Sequence, residues 1–464
     1  MSGSLAVVAI AGYGFLVLAG HLPLSRENAA MTSFYVLLNT VTQGVFYGLE
    51  QETSRTLSKT LATGGDTGPV VRQAVRHAVG LLAACLVLLA LSSPLLIDGP
   101  LHGQWSLIGP VLLGTCSAAA AYLVRGLLGG ARRFGGYAAT QVVEGSARLV
   151  PCLAIALLGI GSAFTYCLIY SGALAFAAAV GWLWLRPLGL TRSAGSAGSA
   201  GSAGFEPSMT GQSPTVTPVS EHGPRPRFNH RSSLLSSGLA LLVGASILTQ
   251  LVANMPALSA STRLTGTTAP AAAFVQAATL SRIPLLVGGP VSAMLLPHLT
   301  AAGAVGDRRA VRKAVKLGIA AMLGLGTLAG LGLAVIGPWM LKTFFNADGV
   351  SAVSLALMSI GTAGLMTVAV LQPALVGLER QRWVPSAWGV GAVVMGITVL
   401  WPGNPVHAAI VGSLLGPVTV AAVMGLGLAR GLQAGAPAEA GDAASARGTE
   451  GVPEQRQSTV GVEA

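Results

Sequence analysis

Three ionisable side chains lie deep inside apolar stretches of this sequence and carry its most distinctive chemistry. Glu144, Arg148 and Arg282 each stand among residues that are hydrophobic enough to cross a membrane. Because burying a charge in hydrocarbon is costly, such residues are functional candidates by default. Arg148 and Arg282 each follow the start of their stretch by about 11 residues, or about 16 Å along a helix. That depth places both near the middle of a bilayer.

A guanidinium at this depth suits an anionic ligand. Arginine presents a planar fork of donors that matches phosphate oxygens, so Arg148 and Arg282 are candidate contacts for a diphosphate. Arg148 has a structural alternative, because Glu144 lies four residues earlier on the same helix face and can pair with it. For Arg282 the alternatives are a ligand and a partner among backbone carbonyls or distant glutamates. Both questions stay open at this point.

Other polar residues extend the candidate site. The amides of Gln141 and Asn254, and likewise Gln43 and Gln250, can hydrogen-bond sugar hydroxyls or each other across helices. The second apolar stretch ends in charged residues that are candidates for a gate or for contact with a substrate head group: Glu50, Glu52 and Arg55. An ordinary solvated helix end is the alternative for these three.

The composition of the whole chain indicates that membrane-spanning helices position these residues. Charged residues make up 9% of the 464-residue chain, against about 25% in soluble domains, so a water-soluble fold is excluded. Apolar runs of about 20 residues span a bilayer only as helices, because backbone groups in lipid need internal partners. Twelve such runs are predicted, at residues 5–22, 31–49, 75–97, 106–128, 137–159, 163–184, 234–258, 271–296, 315–341, 352–376, 384–400 and 405–428.

The basic residues predict the orientation of these spans. Most of the 27 Lys and Arg residues fall in alternate connections, with Arg125 counted in the connection after the fourth span. Cytoplasmic loops carry such an excess. We therefore predict a multi-pass protein of the cytoplasmic membrane with both termini in the cytoplasm. The net charge of +11 is then explained by topology and by contact between the basic loops and anionic lipids. We predict no nucleic-acid partner.

A break in the middle of the chain divides the spans six and six. Residues 188–232 contain four copies of Ser-Ala-Gly and are rich in Ser, Pro and Thr, which predicts a flexible cytoplasmic linker. Residues 432–464 predict a disordered cytoplasmic tail. The remaining segments, residues 1–187 and 233–431, are predicted as two six-helix bundles.

A short repeat relates the two bundles. Val71-Arg72-Gln73-Ala74-Val75-Arg76 precedes the third span, and Val311-Arg312-Lys313-Ala314-Val315-Lys316 precedes the ninth. Since six is an even number, the halves share one orientation and form a parallel repeat of the kind found in transporters. The predicted fold class is therefore an all-α polytopic membrane protein of about twelve helices.

Motifs for catalysis and for metal binding are missing from the sequence. There is no Gly-rich phosphate loop, no HExxH and no Gly-x-Ser-x-Gly elbow. The four cysteines lie inside apolar segments, where disulfides and a metal site are unexpected. We predict no enzyme activity, no catalytic residue, no bound metal and no cofactor.

Several segments resemble the multidrug/oligosaccharidyl-lipid/polysaccharide flippase superfamily, in particular its polysaccharide-biosynthesis, O-antigen-flippase-like branch. They are Gly48-Leu-Glu-Gln-Glu-Thr-Ser-Arg55, Arg125-Gly-Leu-Leu-Gly-Gly-Ala-Arg-Arg-Phe134, and Leu280-Ser-Arg-Ile-Pro284 running into Leu296-Pro-His-Leu299. The resemblance implies a MATE-like fold that moves a polyprenyl-diphosphate-linked saccharide to the outer leaflet for cell-surface polysaccharide or cell-wall synthesis. It also implies glycosyltransferases or a polymerase of that pathway as candidate partners.

Other classes of protein compete with this interpretation. A cation-coupled multidrug exporter of the same superfamily typically has acidic residues in its first or seventh span, and residues 5–22 and 234–258 contain none. A membrane scaffold without transport is a further alternative.

Overall fold

A computed structural model describes residues 2–22, 25–185, 237–264, 268–287, 308–377, 380 and 382–433. In these residues the chain forms α-helices and short turns, with no strand, which confirms the predicted all-α class. The predicted linker at 188–232, nearly all of the predicted tail and the Leu296-Pro-His-Leu299 segment lie outside the described residues.

Twelve α-helices lie in the described residues, one on each predicted span. The first six are α1 Ser2–Gly20, α2 Ser25–Ala62, α3 Gly68–Asp98, α4 Ile108–Gly130, α5 Phe134–Leu158 and α6 Ala163–Leu185. The other six are α7 Ser237–Arg263, α8 Thr268–Leu280, α9 Arg308–Phe345, α10 Ala352–Gly377, α11 Trp383–Val399 and α12 Pro405–Gln433.

The helices have the length and composition of membrane spans. Among the residues that the structure describes, eight helical segments are long and apolar enough to cross a membrane, and two shorter apolar helices accompany them. The protein is therefore a multi-pass membrane protein, as predicted. Which membrane holds it, and on which side the termini lie, stay predictions.

The repeated basic segment forms the first turns of α3 and of α9. The helices begin at Gly68 and Arg308, well before the apolar spans predicted from residues 75 and 315. Ala74 and Val315 are buried, whereas Arg72 and Lys316 are exposed. The motif is thus an amphipathic helical extension that occurs in both halves of the chain.

The eighth predicted span is not one continuous helix. α8 ends at Leu280, Ser281 and Arg282 form a turn, and a short 3-10 helix follows at Ile283–Val287. Pro284 explains the break, because proline has no N–H to give to the carbonyl of Leu280 and its ring clashes with that carbonyl. The prediction that Arg282 lies within a helix is therefore wrong.

The contacts divide the chain into two compact units. The first comprises Met1–Gln250 and Thr265–Ala272, and the second comprises Leu251–Leu264 and Ala273–Ala464. The beginning of α7 packs in the first unit, where Leu239 and Val243 join a buried cluster with Phe46. The predicted domain boundaries stay predictions.

Two glycines of the segment Arg125–Phe134 bring α4 close to α2. A Cβ atom on Gly126 would lie 2.9 Å from the carbonyl oxygen of Glu50, and one on Gly130 would lie 2.9 Å from that of Ser54. Small residues four apart allow helix backbones in membranes to approach in this way. The family-like glycine pattern therefore has a packing role in the first unit.

We expect Gly126→Ala to lower the midpoint of thermal unfolding. The added methyl group meets the α2 backbone at Glu50 and the side chain of Thr53, and overpacking of this kind costs about 1–3 kcal/mol. Gly80→Ala is the matched control, because a Cβ atom there meets nothing within 4 Å. Both variants are heated in detergent and the folded fraction is measured by size exclusion. Equal midpoints would show that the close contact is unimportant.

Candidate functional site

The side chain of Glu144 in α5 pairs with two arginines. Arg148 Nη2 lies 2.6 Å from Glu144 Oε1, and Arg125 Nη2 of α4 donates to Glu144 Oε2. All three side chains are buried. We call Arg125, Glu144 and Arg148 the buried charge cluster. The structure thus contains the predicted pair of Glu144 with Arg148, and adds a second cation to it.

Neighbouring groups hold both guanidiniums in place. Arg125 Nε donates to Thr140 Oγ1 at 3.1 Å. The guanidinium of Arg148 lies 4.0 Å from the centre of the Tyr170 ring, close enough for a cation–π interaction. Tyr170 is fixed in turn by Asn39, whose amide donates to its hydroxyl at 3.1 Å. The cluster is therefore set in a polar and aromatic surround contributed by α2, α4, α5 and α6.

Arg125, Glu144 and Arg148 together carry one more positive charge than negative charge, and Glu50 of α2 is a further buried carboxylate close enough to act on Arg125. Within the described part of the chain, Glu144 is the carboxylate that pairs with either arginine. Arg148 Nε is buried and makes no hydrogen bond to a described residue. Charges interact strongly where water is excluded, so an excess cation with an unused donor can attract an anionic group.

Arg125 also belongs to the site, although its place at the end of the fourth apolar stretch predicts a cytoplasmic connection. The structure places Arg125 within α4, with 6% of its surface exposed. Its position inside the predicted span at residues 106–128 was the signal that could have identified it as a buried charge.

Three of the predicted sugar-binding amides make bonds between helices. Ser4 Oγ of α1 donates to Gln141 Oε1 of α5 at 2.7 Å, and both side chains are buried. Gln250 Nε2 of α7 donates to Gln43 Oε1 of α2 at 3.2 Å. In this conformation, these amides therefore bond across helices, which was the alternative to binding sugar hydroxyls.

The predicted residues Arg282 and Asn254 meet in the second unit. Arg282 Nη1 donates to Asn254 Oδ1 at 2.5 Å, and Nη2 donates to the carbonyl oxygen of Ala253. A cavity of about 10 Å³ adjoins Arg282, Ser281 and Ser413, which is room for about one water molecule. Backbone pairing, one of the two alternatives for Arg282, is thus present in this conformation.

The three charged residues near the end of the second predicted span separate into two groups. Arg55 Nε and Nη2 each lie 3.1 Å from an oxygen of Glu52, so this pair is bidentate. Glu50 is buried, and Tyr137 of α5 donates its hydroxyl to Glu50 Oε1 at 2.7 Å. Glu50, Arg55 and Tyr137 border a cleft of about 380 Å³.

No group of three His, Cys, Asp or Glu side chains able to hold a metal occurs in the residues that the structure describes.

The helix arrangement is that of a known class of membrane transporter. A MATE family multidrug resistance transporter of the MOP superfamily, solved in an inward-facing conformation, superposes with a TM-score of 0.62 at 11% identity, covering 97% of this chain and 96% of that chain. The lipid II flippase MurJ superposes with a TM-score of 0.61 at 10% identity, covering 92% and 86%. A mutant of the Vibrio cholerae MATE transporter VcmN gives 0.59 at 16% identity, covering 94% and 98%.

Sequence relatives share most of the chain length. The uncharacterized protein Rv3630 of Mycobacterium tuberculosis is 26% identical over 438 residues, which is 92% of this chain and 90% of that protein. The uncharacterized protein Rv1510 of the same organism is 26% identical over 402 residues, or 84% and 82%. No protein-family model matches the chain. The predicted resemblance is therefore confirmed at the level of the fold, which is that of MATE transporters and MurJ.

Proposed function

We propose that this protein is a flippase that moves a polyprenyl-diphosphate-linked saccharide from the inner to the outer leaflet of the cytoplasmic membrane by alternating access. The fold supports transport in general, because the structures that share it are those of transporters and of a lipid II flippase. A lipid-linked saccharide of this kind is anionic at its diphosphate and serves the synthesis of surface polysaccharide or cell wall.

The observation that carries the proposal is the excess cation of the buried charge cluster. Two arginines share one carboxylate there, and Arg148 keeps a buried donor for a further acceptor. A diphosphate supplies both the missing negative charge and acceptor oxygens. A site for cationic drugs would instead need an excess of negative charge.

The same cluster disfavours the exporter alternative. Coupling to a cation needs a carboxylate that can release its partners, and α1 and α7 contain no acidic residue. Glu144, the acidic residue within α5, is held by two guanidiniums at once. Its role in the proposal is to position Arg125 and Arg148.

Arg282 is the second proposed contact for the diphosphate. The cavity beside it holds about one water, so a diphosphate fits there only after Arg282 leaves Ala253 and Asn254. The break in the helix at Ser281 provides a place where the chain can change its backbone angles without disrupting a continuous helix. Asn254 then becomes available to the substrate as well.

The proposal includes partners outside the site. Exposed basic residues in the first turns of α3 and α9 suit anionic lipids at the cytoplasmic surface: Arg72, Arg76, Arg312, Lys313 and Lys316. Glycosyltransferases that build the saccharide, or a polymerase that uses it, are the expected protein partners.

A proteoliposome assay tests the function. Purified protein is reconstituted with a fluorescent polyprenyl-diphosphate disaccharide, and the fraction in each leaflet is measured with a membrane-impermeant quencher. We expect the lipid to cross faster than in liposomes without protein, and ethidium to be left untransported. Transport of ethidium with no movement of the lipid would support the multidrug exporter, and movement of neither would favour a scaffold.

A further inference from the structure

One face of α2 and one side chain of α5 form the cleft that we call the α2 cleft. Its α2 residues follow the pattern i, i+3, i+4, i+7, i+8 and i+11 over three turns and are Tyr47, Glu50, Gln51, Ser54, Arg55 and Ser58. Tyr137 of α5 completes the cleft. Residues at this spacing share one helix face. The volume of about 380 Å³ lies within the range of about 300–1,000 Å³ that is typical of small-molecule sites.

The charge of the α2 cleft differs from that of the buried charge cluster. Arg55 is neutralised by Glu52 through two contacts of 3.1 Å. Glu50 is the remaining acidic or basic side chain of the cleft, so the cleft carries no excess of positive charge. One oxygen of Glu50 accepts the Tyr137 hydroxyl at 2.7 Å, and the second oxygen accepts no hydrogen bond from a described residue. A phosphate is disfavoured here, and a ligand that donates hydrogen bonds is favoured.

The remaining groups in the cleft are neutral and can hydrogen-bond in both directions. Tyr47, Ser54, Ser58 and Tyr137 offer hydroxyls, and Gln51 offers an amide. A buried carboxylate beside several hydroxyls and an amide matches a polyhydroxylated molecule. The two tyrosine rings add apolar faces on which the C–H groups of a sugar ring can pack.

We infer that the α2 cleft is a saccharide-binding subsite in which Glu50 and Gln51 hydrogen-bond sugar hydroxyls and Tyr137 holds Glu50 in position. The inference rests on the proposed function, because it assigns the sugar of the substrate to the α2 cleft. The diphosphate then belongs at arginines elsewhere in the chain, and Arg55 is a partner of Glu52 instead of a head-group contact.

Saturation-transfer difference NMR on the full-length protein in nanodiscs tests the inference. The probes are maltose and diacetylchitobiose as neutral saccharides, tetramethylammonium as a cation and inorganic pyrophosphate as an anion. We expect saturation of the sugar-ring protons, with binding weakened at least fivefold by Glu50→Gln and by Tyr137→Phe. Gln51→Leu changes an exposed position, and we expect it to weaken binding to the same extent. This variant replaces Glu50→Gln in the test if Glu50→Gln fails to fold. Gln73→Ala, an exposed amide on α3 outside the cleft, is the matched control and leaves binding unchanged.

Two outcomes overturn the inference. One is binding of tetramethylammonium or pyrophosphate with no saturation of either saccharide. The other is saccharide binding that Tyr137→Phe and Gln51→Leu leave as strong as in the wild type. Liposome transport separates this inference from the proposed function: normal lipid movement by both variants contradicts the subsite alone, whereas saccharide binding without any lipid movement contradicts the flippase alone.

Discussion

Glu144→Gln is expected to destabilise the protein more than any other single change in the first unit. The substitution keeps the size of the side chain but leaves Arg125 and Arg148 buried without their shared carboxylate. Removing one partner of a buried ion pair typically costs about 3–5 kcal/mol, because the remaining charge is left uncompensated. Unfolding in mixed detergent and SDS micelles, followed by circular dichroism, measures the loss of free energy.

Glu52→Gln is the matched control for this prediction. Glu52 also pairs with an arginine on its own helix, but the Arg55 side chain is 70% exposed. Exposed pairs contribute about 0–1 kcal/mol, so the control should unfold close to the wild type. If both variants lose the same free energy, Glu144 is not the centre of a buried cluster.

Arg148→Met should have the opposite pattern, with a small effect on stability and a large effect on transport. The variant leaves Arg125 and Glu144 as a neutral buried pair, so no charge is stranded. It removes the excess cation that is proposed to attract the diphosphate. Hydrogen bonds to charged groups contribute about 1.5–3 kcal/mol, so lipid movement in liposomes should slow by about 10- to 100-fold.

Arg430→Met controls for the loss of an arginine over an aromatic ring. Arg430 lies 5.5 Å from the ring centre of Trp383 and is exposed, whereas Arg148 lies 4.0 Å from that of Tyr170 and is buried. We expect Arg430→Met to transport at the wild-type rate. Wild-type transport by Arg148→Met would instead assign Arg148 a purely structural role.

The helices could be predicted from the sequence because their signal is local. Twelve apolar runs with few charges within them require helices in lipid, and every predicted span contains a helix in the described residues. The interruption of the eighth helix was harder to predict. Proline is common in membrane helices, and only the packing around residue 282 shows that Pro284 ends α8 at Leu280.

The candidate site was less predictable, because its contacts join residues that are distant in the sequence. The pair of Glu144 with Arg148 follows from a spacing of four residues. Arg125 joins that pair from another helix, Tyr137 reaches Glu50 across 87 positions, and Arg282 reaches Asn254 across 28. No periodicity within one helix encodes such contacts, which depend on how neighbouring helices pack.

The most direct test of the proposed flippase is the rate at which a fluorescent polyprenyl-diphosphate disaccharide crosses the membrane of proteoliposomes. Wild-type protein, Arg148→Met and Arg430→Met are compared at equal folded amounts, against liposomes without protein. The proposal predicts fast crossing with the wild type and Arg430→Met and crossing about 10- to 100-fold slower with Arg148→Met. Crossing no faster with the wild type than without protein would contradict it.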